Sequence, residues 1–132
     1  MFSVGVSDHV MIAHSFPDAF FGPAQRLHGA TYAVDLEVQS TTLGRHEVVM
    51  DIGALREILR SVLAELEYRN LDEHDAFAGR MSTTERVAEH VANRAADRIA
   101  RLPPDSAPPG GASLRTVVRE SPVAYATFER KI

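Results

Sequence analysis

The hydrophobic pattern of this chain changes its period at Asp51, from two residues to three or four. Before that point apolar residues alternate with polar or small ones, as at Tyr32, Val34, Leu36 and Val38. After it apolar residues recur at helical spacing, at Ile52, Leu55, Ile58, Leu59, Val62, Leu63 and Leu66. Alternation is typical of a half-buried strand, and the second pattern predicts an amphipathic helix with Asp51 as its N-cap.

Four segments of the chain have the pattern of strands. The first is predicted over residues 2–13, with a bend near Asp8, and the second over about 30–41. The last two are predicted over residues 114–121 and 124–131. Two strands therefore precede the helical region and two follow it.

A second helix is predicted to begin at the capping-box pattern Ser82 to Glu85. Its apolar face consists of Val87, Val91, Ala95 and Ile99. Residues 15–25 are predicted to be a loop, and the Pro- and Gly-rich residues 103–112 a mobile one. The order ββααββ predicts an α+β fold, in which both helices cover one face of a four-stranded, largely antiparallel sheet. The open face and free edges of such a sheet predict a homo-oligomer.

The composition limits what the protein binds and where it acts. A chain of 132 residues, of which 45% are hydrophobic, fits one domain over residues 1–132. The net charge of −4 argues against nucleic acid and anionic membranes as partners. Without cysteine, the chain has no disulfide, no thiolate nucleophile and no Cys-based zinc cluster. No basic leader or membrane-spanning run is visible, which predicts a cytoplasmic protein.

Six short segments occur in the same order as motifs of a known family. They are AH at residues 13–14, LHGA at 27–30, VMDI at 49–52, LEYRNLDE at 66–73, STTERVA at 82–88 and RES at 119–121. Together they resemble the 6-pyruvoyltetrahydropterin synthase and 6-carboxytetrahydropterin synthase family. The resemblance implies the tunnelling fold, in which subunits join their sheets into a barrel. It also implies a homo-oligomer, a hexamer or tetramer, with sites between subunits.

The resemblance also shows which catalytic groups differ in this sequence. The family holds zinc with three histidines, and here His14 and His28 match two of them while Ala30 stands at the third position. Ala24 stands where the family has its cysteine. The Asp-His pair that activates this cysteine corresponds to Glu67 and Tyr68. The resemblance therefore implies a zinc-dependent lyase fold whose standard activity is lost or changed.

The ring-recognition residues of the family are retained. Glu120 matches the carboxylate that accepts hydrogen bonds from the N3–H and 2-amino groups of a pterin. Thr83 and Thr84 match threonines that contact the ring at the start of the second helix. These matches predict a pterin or related purine-like ligand, and Glu120, Thr83 and Thr84 as its binding residues.

Each of these assignments has an alternative. Glu120 could pair with Arg119 or Arg115, and Ser82 to Glu85 could serve only as a helix cap. His14 and His28 could simply be hydrogen-bonded histidines, since two ligands hold zinc weakly.

Other residues could replace the lost zinc ligand and catalytic pair. His9, His46 or His74 could supply the third ligand, although parity puts His9 on the opposite face. Tyr68 or His74 could carry a proton in altered chemistry, and Asp72 with His74 could replace the lost pair. A barrel subunit used only for assembly is a third possible function.

Overall fold

The computed structural model describes all 132 residues, and its elements follow the predicted order. The strands are β1 (Phe2–His14), β2 (His28–Ser40), β3 (Arg69–Asn70), β4 (Ser113–Ser121) and β5 (Ala124–Lys131). The two α-helices are α1 (Ile52–Ala64) and α2 (Thr84–Ile99). Three short 3₁₀ segments cover Ala19–Gln25, Leu71–Glu73 and Asp75–Phe77. The α+β class is confirmed.

The strands form one sheet in the order β3-β1-β2-β4-β5. Antiparallel pairing between β1 and β2 runs without a register shift from Phe2 opposite Ser40 to His14 opposite His28. The predicted bend near Asp8 is therefore wrong. Asp8 pairs with Val34 in this register, and its carboxylate accepts a hydrogen bond from the His9 backbone N–H at 2.8 Å. A polar residue is accommodated here without interrupting the ladder.

A fifth strand corrects the prediction of four. The two residues of β3 pair in parallel with Ile12 and Ala13 of β1. A two-residue strand is too short to show a hydrophobic period, so the pattern of the sequence could not indicate it. Its effect is to fix the chain that leaves α1 against the end of β1.

The core lies between the two helices and one face of the sheet. Sheet residues of even number form that face, with Val10, Ile12, Tyr32, Val34, Leu36, Val38, Leu114 and Val118 all buried. They belong to one cluster with the apolar faces of α1 and α2. The expectation that both helices cover one face is thus confirmed. The odd-numbered positions form the opposite face.

The predicted N-cap residue is confirmed for α1 but not for α2. At α1 the Asp51 carboxylate accepts from the N–H groups of Gly53 at 2.8 Å and Ala54 at 3.2 Å, as predicted. At α2 the cap is Thr83, whose hydroxyl accepts from the Arg86 N–H at 3.3 Å. The predicted capping box from Ser82 is therefore wrong. Ser82 is buried and faces His14 instead.

Both predicted loops contain more structure than expected. Residues 15–25 include the 3₁₀ segment Ala19–Gln25. In residues 103–112 the N–H groups of Ser106 and Ala107 donate to the Pro103 carbonyl. The Asp51 N–H donates to the Ser106 carbonyl at 3.1 Å. The segment predicted to be a mobile loop therefore contains turns and is hydrogen-bonded to the N-cap residue of α1. Neither helix of the protein has the length and apolarity needed to cross a bilayer.

An ion cluster joins the end of α1 to α2. The Glu65 carboxylate accepts from Arg94 at 3.1 Å and from Arg98 at 2.5 Å. These two guanidinium groups, Arg94 foremost, lower the pKa of Glu65 from 4.5 to about 2. A lowered carboxyl pKa stabilises the fold above the unfolded-state pKa, and the effect is lost as the pH falls toward 2.

We expect Glu65→Gln to lower the free energy of unfolding at pH 7 by about 1–2 kcal/mol, a figure discounted for partial solvent screening. The variant should also lose stability less steeply than the wild type between pH 4.5 and pH 2. Urea denaturation across this range measures both effects. Glu57→Gln, an exposed carboxylate on α1, is the matched control. Equal losses in the two variants would contradict the assigned role of the ion cluster.

Candidate functional site

Two histidines meet at the last pair of the β1–β2 ladder. His14 and His28 are direct register partners, and their ring centroids are 4.6 Å apart. His14 is 3% exposed, and the ring of Phe16 lies 4.6 Å from it. Phe21 lies in turn 4.6 Å from Phe16. The connecting segment between β1 and β2 therefore packs Phe16 against the histidine pair, with Phe21 behind it.

Backbone carbonyls fix the orientation of both imidazoles. Nδ1 of His14 lies 3.1 Å from the Ser82 carbonyl oxygen, and Nδ1 of His28 lies 2.7 Å from the Arg26 carbonyl oxygen. A carbonyl oxygen only accepts, so each Nδ1 carries the proton and each Nε2 keeps its lone pair. Burial, together with the neighbouring His28, lowers the pKa of His14. The Nε2 atoms of the two rings are therefore left for another partner.

A third metal ligand is missing from this arrangement. Nowhere in the chain do three His, Cys, Asp or Glu side chains come close enough together to hold a metal ion. Ala30 lies on the same face of β2 as His28, two residues further along. His9 is opposite Ala33 on the other face, as parity predicts, and His46 is exposed in the turn before α1. The residues present do not complete a zinc site within one chain.

Three polar side chains, of Thr84, Glu85 and Glu120, influence the pKa of the buried Tyr32. Burial raises the pKa of Tyr32 to about 12, hydrogen bonding by the Thr84 hydroxyl opposes this, and the carboxylates of Glu120 and Glu85 add to it. These groups come from β2, β4 and the first turn of α2. Thr84 and Glu120, two of the residues predicted to bind a ring, therefore both lie close enough to Tyr32 to influence its pKa. The alternation of the sequence had placed Tyr32 only in the core.

Glu120 lies at an irregularity of β4. The register with β5 shifts between Arg119 and Ser121, and Glu120 is the residue left over at this bulge. Its side chain is exposed and forms no ion pair. Arg119 instead pairs with Asp35 and lies over the ring of Tyr125, 5.6 Å from its centroid. The structure therefore gives the alternative of a Glu120 ion pair with Arg119 no support, and the carboxylate is available to a ligand.

The sequence matches the family model described as 6-pyruvoyl tetrahydropterin synthase over residues 3–131. The chain belongs to this family. A curated relative, 6-carboxy-5,6,7,8-tetrahydropterin synthase of Bacillus subtilis, is 23% identical over 134 residues, covering 98% of this chain and 86% of its own. The resemblance of the six sequence segments to this family is thereby confirmed.

Solved structures of this family share the fold. The 6-pyruvoyl tetrahydropterin synthase of Caenorhabditis elegans superposes with a TM-score of 0.78 at 20% identity, over 98% of this chain and 95% of its own. A catalytic-residue mutant of the 6-pyruvoyltetrahydropterin synthase of Plasmodium vivax superposes with a TM-score of 0.76 at 19% identity. The match covers 99% of this chain and 98% of that one. The tunnelling fold of this chain is thus shown.

Ala24, Glu67 and Tyr68 stand at the positions that match the cysteine and the Asp-His pair of the family. Ala24 lies at the end of the first 3₁₀ segment, and its carbonyl accepts from the Phe16 N–H at 3.1 Å. Glu67 lines a shallow cavity with Asp8, His9 and Arg60 at the side of β1. Neither has a polar contact with the histidine pair. Glu67 as a catalytic residue stays a prediction.

Tyr68 has an unusual backbone. Its φ is +55°, in the left-handed region that costs a bulky side chain about 1–3 kcal/mol. The residue is 79% exposed, while its N–H donates to the Met11 carbonyl at 2.8 Å. The protein therefore holds a strained tyrosine at its surface, with its phenol directed away from the core. Its catalytic role also stays a prediction.

His74 uses both ring nitrogens within the chain. Nδ1 accepts from the Ala76 N–H at 3.1 Å, and Nε2 lies 3.2 Å from the Glu65 carbonyl oxygen. The ring thus caps the 3₁₀ segment Asp75–Phe77 and has no free nitrogen for a substrate. Asp72 binds the backbone N–H and the hydroxyl of Ser15, next to His14. In this geometry both residues hold local structure, and His74 as a proton carrier stays an untested prediction.

Proposed function

We propose that this chain binds a pterin, or a related purine-like ring, through Glu120, Thr83 and Thr84, with the standard lyase activity of its family lost or changed. The exposed Glu120 carboxylate, which has no ion-pair partner and adds to the raised pKa of the buried Tyr32, is the observation that carries the proposal. A carboxylate with no cation of its own can accept two N–H donors from one edge of a ring. The threonine hydroxyls and free backbone N–H groups of α2 offer donors to ring acceptors nearby.

The altered catalytic positions support the second half of the proposal. Ala24 has no acid or base group where the family has a cysteine, and Ala30 leaves the histidine pair one ligand short. Removing a positioned acid-base group costs roughly 10²- to 10⁴-fold in rate. We therefore expect the family's elimination chemistry to be very slow in this protein, while binding persists.

The sheet edges support assembly into a homo-oligomer, a hexamer or tetramer. β5 pairs only with β4, and most of β1 pairs only with β2, so both outer strands expose free backbone groups. Pairing between copies would satisfy these groups, and we propose that the ring site is completed between subunits. Size-exclusion chromatography with light scattering measures the assembly.

Titration calorimetry of the wild-type protein with neopterin, biopterin and sepiapterin, each up to millimolar concentration, tests the binding proposal. We expect saturable binding of at least one of them, with about one site per chain. No heat of binding with any of the three would overturn the proposal. If the protein still assembled as an oligomer, that result would favour the structural subunit as its function.

A lyase with altered acid-base residues is the second candidate. The strained, exposed Tyr68 favours it, because such backbone outliers concentrate at functional sites. In that case Tyr68 would carry the proton, or His74 after giving up one of its two hydrogen bonds, and zinc at His14 and His28 would need a third ligand from outside this chain. Turnover of a pterin substrate that is lost on replacing both His14 and His28 by Ala would support this candidate. Turnover that is unchanged in the double variant would eliminate it.

A further inference from the structure

A cavity of about 350 Å³ lies between residues 75–80 and the first half of α2. Its volume is within the range of small-molecule binding sites. The residues that line it do not include the histidine pair, Tyr32 or the predicted ring-binding residues. The cavity is therefore a second possible site, built from residues that the proposed function does not use.

The helix contributes one stripe of polar side chains to this cavity. The members of the stripe are three or four residues apart and so share one side of α2. They are Arg86, Glu89, His90 and Asn93. Nη1 of Arg86 donates to the Glu89 carboxylate at 2.7 Å, so the charge of this acid is balanced within the stripe.

The two other members of the stripe offer N–H donors. The side-chain oxygen of Asn93 accepts from Arg130 at 2.7 Å, which leaves the amide N–H groups of Asn93 for another acceptor. Burial lowers the pKa of His90, so its ring is neutral at pH 7. Nε2 of this ring is buried without a hydrogen bond, and Nδ1 is the nitrogen open to the cavity. Because a buried N–H without an acceptor is the rarer arrangement, the proton belongs on Nδ1.

The facing segment adds the one free cation of the cavity. Arg80 is exposed, and its guanidinium forms no ion pair or hydrogen bond within the chain. Asp75, also exposed, is the one carboxylate of the lining without a cation. The ring of Phe77 packs against His90 with their centroids 5.5 Å apart and restrains the imidazole. Three groups with free N–H donors thus face a single free acceptor.

We infer that this cavity binds a small oxyanion, a phosphate or a carboxylate group, through Arg80, Nδ1 of His90 and the amide of Asn93. A guanidinium group presents a planar fork of donors that fits the oxygens of either anion. The imidazole and amide donors give further hydrogen bonds to the same group. Asp75 opposes the anion by charge repulsion, which weakens binding without removing any of the donors.

Titration of ¹⁵N-labelled protein with inorganic phosphate, and separately with acetate, tests the site at pH 7 and constant ionic strength. We expect saturable shifts of the backbone amide signals of residues 77–80 and 86–93 with at least one of the two anions, and the comparison distinguishes a phosphate from a carboxylate site. Arg80→Gln should raise the Kd about tenfold, because it removes a charge-assisted hydrogen bond. Arg56→Gln, at an exposed arginine of α1 outside the cavity, is the matched control and should leave the Kd unchanged.

Two further variants test the assigned donors and the opposing charge. His90→Phe keeps the ring against Phe77 and should raise the Kd about tenfold through loss of one hydrogen bond. Asp75→Asn should lower the Kd several-fold, because it removes the like charge. Saturable shifts with neither anion, an unchanged Kd in Arg80→Gln, or weaker binding in Asp75→Asn would each overturn the inference. The binding of neopterin bears only on the proposed function, so the two proposals can fail separately.

Discussion

Glu120→Gln is expected to weaken neopterin binding about a hundredfold. The carboxylate accepts two charge-assisted hydrogen bonds in the proposed complex, and glutamine offers one acceptor and turns an N–H₂ donor toward the donors of the ring. The combined loss is about 3 kcal/mol, which corresponds to that factor in Kd. Titration calorimetry at pH 7.5 on the wild type and the variant measures it. Because Glu120 is exposed and unpaired in the chain, the fold should tolerate the change.

Two further variants define what this result means. Glu129→Gln removes an exposed, unpaired carboxylate from the adjacent strand β5 and should leave the affinity unchanged. Glu120→Asp keeps the charge but shortens the side chain, and should give an intermediate Kd. Wild-type affinity in Glu120→Gln would place the ring elsewhere on the protein and remove the main support for the proposed function.

Ala30→His should increase zinc affinity by at least a hundredfold. His28 and position 30 share one face of β2, and His14 lies opposite His28, so a new imidazole would join two whose Nε2 atoms are free. Three nitrogen ligands form a normal protein zinc site, whereas two do not. Removing one hydrogen bond that orients a metal ligand already lowers metal affinity about 10- to 100-fold. A residue that binds the metal directly should therefore contribute at least as much. Competition with a chromophoric chelator measures the gain.

Gln39→His controls for the mere addition of a histidine to β2. Position 39 belongs to the opposite face at the far end of the strand, so this variant should bind zinc as the wild type does. Equal gains in both variants would indicate nonspecific binding. No gain in a folded Ala30→His protein would show that the imidazoles of His14 and His28 do not converge on one metal.

Much of the fold could be predicted because buried residues recur at regular spacing along the strands and helices. The alternation through Tyr32 and Val34 located β2, and the spacing from Leu55 to Leu63 located α1. The strand β3 and the bonds between Asp51 and Ser106 could not be predicted this way, since they depend on contacts between segments distant in sequence. Short pairings of this kind have no periodic signal.

The candidate site shows the same division. Matching motifs identify His14, His28, Thr84 and Glu120. The structure places His14 beside His28, and Thr84 and Glu120 close enough to Tyr32 to influence its pKa. The cap of α2 was misplaced by one residue because Ser82 and Thr83 both satisfy the capping preference. Only tertiary contact with His14 assigns Ser82 a different role.

The uninterrupted pairing of β1 with β2 bears on how such a protein can diverge. His14 and His28 form the final pair of a ladder of 13 residues on each strand, next to the segment that connects the strands. The free energy that holds the two strands together comes mainly from the pairs beyond this one. Position 24 lies in the connecting segment and position 30 only two pairs from the end of the ladder, so alanine at either leaves most of the ladder in place. Substitutions at this end of the ladder can therefore change the chemistry of the site while the protein still folds.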